Sequence, residues 1–293
     1  MPKLLGWLLL SIFGPVFACT MFTTFDGKDN SILAAKNRDN RPDNQVVQVV
    51  AEKGKLKYLA LSRWDIPEFV SAGINEKNLA VFNEVTIEYA SQAKGGIADD
   101  FSKDILQNYQ HARDVIPDLP KLIAKYPDPV FYQVLDNHEL LAIEVAPGQK
   151  YKYKLIEQGT FTHANNYLES ELVSQYSYSE VEEARLLGSQ TRANRANYLL
   201  IKNPFPTVET MQMIALDHTA GYNNSIYRSG EESNPSSVRS LAFFTVKIPK
   251  DGSEDASFSS YLYSQGSKYN YNLDKKFWAK YQSGYNLLSP NIK

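Results

Sequence analysis

Cys19 is the only cysteine among the 293 residues of the chain. It follows Ala18 directly, at the end of the almost wholly apolar run Leu4 to Phe17, which Lys3 precedes. A basic residue, an apolar stretch and Val16-Phe17-Ala18, with small or permitted side chains at both recognition positions, mark residues 1–18 as an export signal. A cut after Ala18 would put the sole thiol on the first residue of the mature chain, beside a free α-amine. A thiol titrates near about 8.5 and an α-amine near about 7.7–8.0, so both change protonation close to neutral pH. The amine can take the thiol proton, directly or through water, and return it to a departing amine. Nucleophile and base would then share one residue, as in the threonine version of this pair.

Other readings of Cys19 compete. Cysteines in an oxidising compartment normally pair, so a single one asks for a reason. Val16-Phe17-Ala18-Cys19 approximates a lipoprotein signal, which would make the protein a membrane-anchored, ligand-binding lipoprotein. Bulky Phe17 fits that pattern poorly, and no polar tether follows the cysteine. The chain runs directly into Thr20-Met21-Phe22-Thr23-Thr24-Phe25, whose β-branched and aromatic content is that of a strand. A strand that begins at the cysteine holds it rigidly, which favours chemistry over tethering. The apolar run falls short of the roughly 20 residues of a membrane span.

The elements follow from the pattern. Asp26 to Asn30 reads as a turn and Ser31–Ala35 as a second strand, so residues 20–36 form a hairpin. That hairpin carries Lys36-Asn37-Arg38-Asp39-Asn40 back to Cys19. Further strands are expected at 46–51, 56–61, 69–74, 79–85, 130–135, 140–145, 151–156, 240–248 and 258–263. Residues 91–96, with Gly95-Gly96, read as a loop. Helices are expected at 97–110, 119–126, 181–187 and 191–201, with a break at Gly188, and after Thr207, where Met211, Ile214, Ala215 and His218 share a face. Ser179 with Glu182 forms a capping box.

Composition excludes several classes. Hydrophobic content of 43%, charged content of 22% and a net charge of −2 describe an ordinary globular chain with no electrostatic footprint for nucleic acid. The 19 tyrosines are assigned to a well-packed β-rich core. No metal cluster, phosphate loop or nucleotide motif stands out, and no cofactor is expected.

Cys19-Thr20 opening a strand, followed by Asn37-Arg38-Asp39-Asn40, resembles the N-terminal-nucleophile hydrolases. The likeness is to the choloylglycine hydrolase and penicillin V acylase group and to the neighbouring acyltransferases of 6-aminopenicillanic acid. Gly73-Ile74-Asn75-Glu76-Lys77 with Leu79 to Glu84 resembles that group's second hairpin. Thr162-His163-Ala164-Asn165-Asn166-Tyr167 resembles its asparagine motif, and Ser189-Gln190-Thr191-Arg192-Ala193-Asn194-Arg195 its arginine helix.

The resemblance implies a four-layer αββα sandwich of two antiparallel sheets flanked by helices, an α+β fold in one domain over 19–293. It implies attack on a linear, non-peptide C–N amide of an N-acylated small molecule. It also assigns roles: Cys19 as nucleophile and base, Asp39 on the amine, Asn83 and Asn165 as oxyanion donors with Asn166 as a rival, and Arg192, with Arg195 as rival, near the thiol. Many members of the group carry arginine where this chain has Lys36, and lysine lacks the planar fork of arginine. Either Arg38 takes that role or the substrate needs a weaker anion clamp. Bile-salt specificity is therefore doubtful, and Asp217-His218-Thr219 with Tyr227-Arg228 fits the acyltransferase side better. A Cys–His dyad through His163 or His218 ranks lower, since the terminal amine already supplies a base. Loops around 62–70, 86–96 and 220–236 are expected as pocket walls. The protein is expected in the periplasm or secreted, off the membrane unless Cys19 is lipidated, with assembly into a homo-oligomer left open.

Overall fold

The computed structural model describes residues 19–87, 98–252 and 254–292. The expected export signal at 1–18, the expected loop at 91–96 and the expected helix start at Ile97 lie outside the described residues.

β1 (Thr20–Gly27) sends Met21 and Phe25 into one apolar cluster and Phe22 into another. β2 (Ser31–Asn40) does the same with Ile32 and Ala34 against Leu33 and Ala35. Both faces of the hairpin are covered, which is why its strands read as near-continuous apolar runs instead of alternating ones. The intervening turn is closed by Asp29 and Asn30 at φ 63° and 51°, a region asparagine and aspartate tolerate.

The hairpin lies within a six-stranded sheet in the order β10 (Thr160–His163), β1, β2, β11 (Arg239–Pro249), β12 (Ser257–Leu262) and β13 (Ser267–Asn272). The second sheet has eight strands, in the order β14 (Gly284–Leu287), β3 (Gln45–Ala51), β4 (Tyr58–Arg63), β5 (Ala72–Asn75), β6 (Ala80–Val85), β7 (Val130–Leu135), β8 (Leu140–Ala146) and β9 (Lys150–Ile156). Every pairing in both sheets is antiparallel. The two sheets share an inner core in which the rings of Phe82 and Phe244 meet edge-on, with centroids 5.8 Å apart.

Helices cover the outer faces. α1 (Ala98–Asn108) and α2 (Leu119–Lys125) bury Phe101, Ile105, Leu119 and Leu122 against the eight-stranded sheet. α3 (Glu180–Lys202) and α4 (Val208–Ala215) bury Ala196, Leu200, Met211 and Ile214 against the six-stranded one. This is the expected four-layer αββα sandwich.

Three local expectations are corrected. The two helices placed on either side of Gly188 are one, α3, whose Ser179–Glu182 capping box is present. Gly188 is not a stop: a Cβ there would meet Asn224 Oδ1 at 2.5 Å, so the residue permits close approach of the 221–224 turn. α4 is capped by Thr207 as expected, but it ends at Ala215, and His218 lies exposed beyond it. β10, β13 and β14 were not legible, because they are short and rich in polar side chains.

Candidate active site

Strand register places Cys19. In the β1–β2 pair Thr20 faces Asn37, and in the β1–β10 pair Met21 faces His163. Continuing both ladders past the start of β1 sets Cys19 between the end of β2 and the segment that follows β10. The contacts agree. The Cys19 backbone N–H donates to Asn165 Oδ1 at 3.0 Å, and Sγ lies 3.9 Å from the Asp39 carbonyl oxygen. Cys19 is a free thiol only 6% exposed. Burial pushes its pKa up; nearby Lys36 opposes this, whereas Asp39 and Glu84 add to it.

α3 supplies the next layer through a buried face that includes Ser189, Arg192 and Ala196. Arg192 Nη2 donates to Asn165 Oδ1 at 2.9 Å, and its Nε donates to Thr20 Oγ1 at 3.2 Å. Two donors therefore converge on the Asn165 carbonyl oxygen, which fixes the orientation of that amide. Its nitrogen donates one proton to the Val85 carbonyl at 2.6 Å, and the second has no acceptor among the described residues. One helical turn from Arg192, Ser189 Oγ donates to Asn166 Oδ1 at 2.9 Å. The Asn166 amide nitrogen makes only a long bond, 3.4 Å, to the Tyr167 carbonyl. Burial brings the Arg192 pKa down to about 10, reinforced by neighbouring Arg228 and opposed by Asp39.

Asp39 accepts a hydrogen bond from Ser240 Oγ at 2.7 Å on Oδ1, while Oδ2 is buried without a partner. Burial lifts its pKa to about 6, against the pull of Arg228, Arg192 and the Ser240 bond. Ser240 stands opposite Asp39 in the β2–β11 pair. It also holds Arg228 at two points: Arg228 N–H donates to Ser240 Oγ at 2.9 Å, and Ser240 N–H to the Arg228 carbonyl at 2.8 Å. Asn37 braces the same corner, donating to the carbonyls of Ala215 and Ile226 and accepting from Tyr263 OH.

Lys36 and Asn83 belong to the interior. The Lys36 ammonium donates to the Ser71 carbonyl at 2.9 Å, to Ser71 Oγ at 2.7 Å and to the Asn83 carbonyl. The anion clamp expected of Lys36 thus gives way to an internal brace between the sheets. Asn83 spends both amide protons, on the Val70 carbonyl at 2.7 Å and Ser102 Oγ at 2.8 Å. Its backbone N–H reaches the Ser71 carbonyl at 3.3 Å. In this geometry the Asn83 side chain has no proton left for an oxyanion. Arg38 pairs with Asp43 at 3.1 Å and lies 5.0 Å over the Phe69 ring. Between the rival arginines geometry is decisive: Arg195 pairs with Asp217 at 2.7 Å on the outer side of α3, away from Cys19.

Residue spacing does not announce the ion-paired group beneath the asparagines. His163 bonds Glu84 at 2.5 Å and Glu144 at 2.8 Å, one carboxylate to each ring nitrogen. Burial opposes the charge, but the bonds to Glu144 and Glu84 outweigh it and lift the pKa to about 9. An imidazolium held at both nitrogens has no lone pair for Cys19. Glu144 also caps the N–H groups of Leu168 and Glu169, tying down the chain after Asn165 and Asn166. Ser240 carries no motif, and Glu84 ends the second hairpin of the resemblance without a role assigned to it; strand pairing brings both here.

Comparison with solved structures is consistent with this architecture. The chain is similar to penicillin V acylase from Agrobacterium tumefaciens, with a TM-score of 0.54 and 12% identity over 88% of this chain and 89% of that one. No family model and no curated protein sequence matches it. The likeness establishes the fold: two antiparallel sheets flanked by helices, shared with that penicillin V acylase.

Proposed function

We propose that the chain is an exported amidase whose nucleophile is the thiol of an N-terminal Cys19 and whose substrate is a linear, non-peptide amide of an N-acylated small molecule. The observation that carries this reading is the arrangement at the start of β1. The Cys19 nitrogen is anchored on Asn165, which Arg192 also holds, and the thiol lies beside Asp39. A cut after Ala18 would complete this set of contacts: Asp39 Oδ2, unpartnered among the described residues of the uncut chain, would receive the new α-amine and hold, in a charge-assisted bond, the ammonium it becomes on taking the thiol proton.

In the reaction the α-amine takes the thiol proton and Sγ attacks the amide carbon. The carbonyl oxygen becomes an oxyanion, for which Asn165 and Asn166 have amide protons to offer. As the tetrahedral intermediate collapses, the C–N bond breaks and the leaving nitrogen takes the proton from the α-ammonium. A thioester remains. Water adds to it, giving a proton to the amine; the C–S bond breaks, the acid departs and the thiol is reprotonated. Another amine in place of water would make the same site an acyltransferase.

A lipid anchor at Cys19 is disfavoured by its burial and by the strand that begins at Thr20. The test is an intact mass with N-terminal sequencing of the exported protein, followed by an amide screen of wild type and Cys19→Ser. A free Cys19 start and loss of most turnover in Cys19→Ser at unchanged Tm are expected. A diacylglyceryl mass on Cys19, or near-normal turnover in the serine variant, sinks the reading.

A further inference from the structure

Arg228 is 5% exposed, yet its Nε and Nη1 have no hydrogen-bond partner among the described residues. Its side-chain bond among those residues is from Nη2 to Asn223 Oδ1, at 3.2 Å. A buried guanidinium that forgoes most of its donors is costly, because each lost bond carries the desolvation penalty of a charged group. The nearest remedy would be an ion pair with Asp39, whose Oδ2 is also unpartnered, but the two do not form one. They are nonetheless close enough that Asp39, and Cys19 beside it, act on the charge of Arg228, as Arg192 also does. The position is built firmly. Two backbone bonds to Ser240 fix Arg228 beside Asp39, and Asn37 holds the preceding Ile226. Among the other cations here, Lys36 and Arg192 are committed to protein oxygens, and Arg38 is neutralised by Asp43 through Nη2, with only its Nη1 unpartnered among the described residues.

We infer that Arg228 is a carboxylate-binding residue of the site, so that the substrates are amides bearing a carboxylate close to the scissile bond. This rests on the amidase reading and narrows its substrate class. Arginine suits the task because its planar fork pairs with both oxygens of a carboxylate, and it keeps its charge when buried. The carboxylate could sit on the leaving amine, as in an N-acyl amino acid, or on the acyl group, as in a dicarboxylic monoamide.

The first experiment needs no turnover. Cys19 is alkylated with iodoacetate and with iodoacetamide, near-isosteres that differ in the carboxylate. Relative to free cysteine, the wild-type protein should favour iodoacetate by about tenfold or more. Arg228→Gln should bring the ratio back to that of free cysteine, and Arg228→Lys, which keeps charge but not the fork, should fall between. A wild-type ratio equal to that of free cysteine, a ratio unmoved in Arg228→Gln, or a thiol that reacts with neither reagent overturns the assignment. The second arm compares kcat/KM for N-acetylglycine against N-acetylglycinamide, and for succinamic acid against succinamide. A preference for the first acid places the carboxylate on the leaving side, and for the second on the acyl side. Efficient hydrolysis with no preference for either acid overturns the carboxylate site and leaves the amidase standing. An iodoacetate preference without hydrolysis of any amide does the reverse.

Discussion

The Asp39 carboxyl is shut away from water with one oxygen on Ser240 and the other unpartnered, and its pKa stands near 6 instead of 3.8. The folded chain therefore holds this proton more tightly than the unfolded one. The resulting stabilisation is present below about 3.8 and is lost as pH rises through 6. At neutral pH the ionised group costs stability, so in the uncut chain Asp39→Asn should hold or raise Tm at pH 7.5 while the exported protein loses turnover. Calorimetry at pH 5 and 7.5 checks this; a marked drop in Tm would make Asp39 a structural turn residue. His163 has the same sign at higher pH. Its pKa of about 9 against 6.5 means stability that is present below 6.5 and lost as pH rises through 9. Tm should decline over that window, and His163→Gln should flatten the decline. Asn83 makes a sharper distinction. Its two side-chain donors hold Val70 and Ser102, so Asn83→Ala should cost about 2 kcal/mol in urea unfolding. Unchanged stability with a large loss of rate would return Asn83 to the oxyanion site.

Elements decide which of these residues meet. The encounter of Cys19 with Asp39 was legible because a tight hairpin brings β2 back to the start of β1 whatever the rest of the fold does. Asn165 and Arg192 were legible only through motif order, since nothing in their spacing from Cys19 specifies contact. Ser240 and Arg228 were not legible as site residues. Their place depends on β2 pairing with β11 across some 200 positions, which local pattern does not encode. The role expected of Lys36 fails for a related reason: the strand is clear from the pattern, but the inward direction of Lys36, on the same face as buried Ile32 and Ala34, depends on the sheet packed against it. Gly188 shows the limit of local signals in helices, where a residue that ordinarily stops a helix is carried through α3. Asn224, whose oxygen is nearest to it, is exposed and free to turn aside. Gly188→Ala should therefore raise stability by up to about 1 kcal/mol through helix propensity, read from thermal unfolding. A large loss would mean that the 221–224 turn cannot yield.

At the scale of the molecule the layered order follows from two-faced strands that need cover on both sides. One seam, between the sheets, carries the most. Phe244 contacts Phe82 across the sheets and Phe258 within its own, at 5.8 and 4.8 Å between centroids. Phe244→Ala should cost about 4 kcal/mol, since a cavity there has rigid walls on both sides. The same variant should alter iodoacetamide reactivity of Cys19 little, because Phe244 lies in the inner core and makes none of the contacts that hold the thiol.

β1 is an interior strand, bonded to β10 on one side and β2 on the other from its first residues onward. Its placement sets an order of events in the making of the protein. A peptidase that grips residues on the far side of the Ala18–Cys19 bond needs Thr20 and Met21 in its own cleft, and after folding those residues are already taken by two neighbouring strands. Under the proposed maturation, trimming would have to come first, on the translocating chain, with sheet closure afterwards. A precursor allowed to fold whole would keep its leader, and its latency would be sealed by the backbone itself.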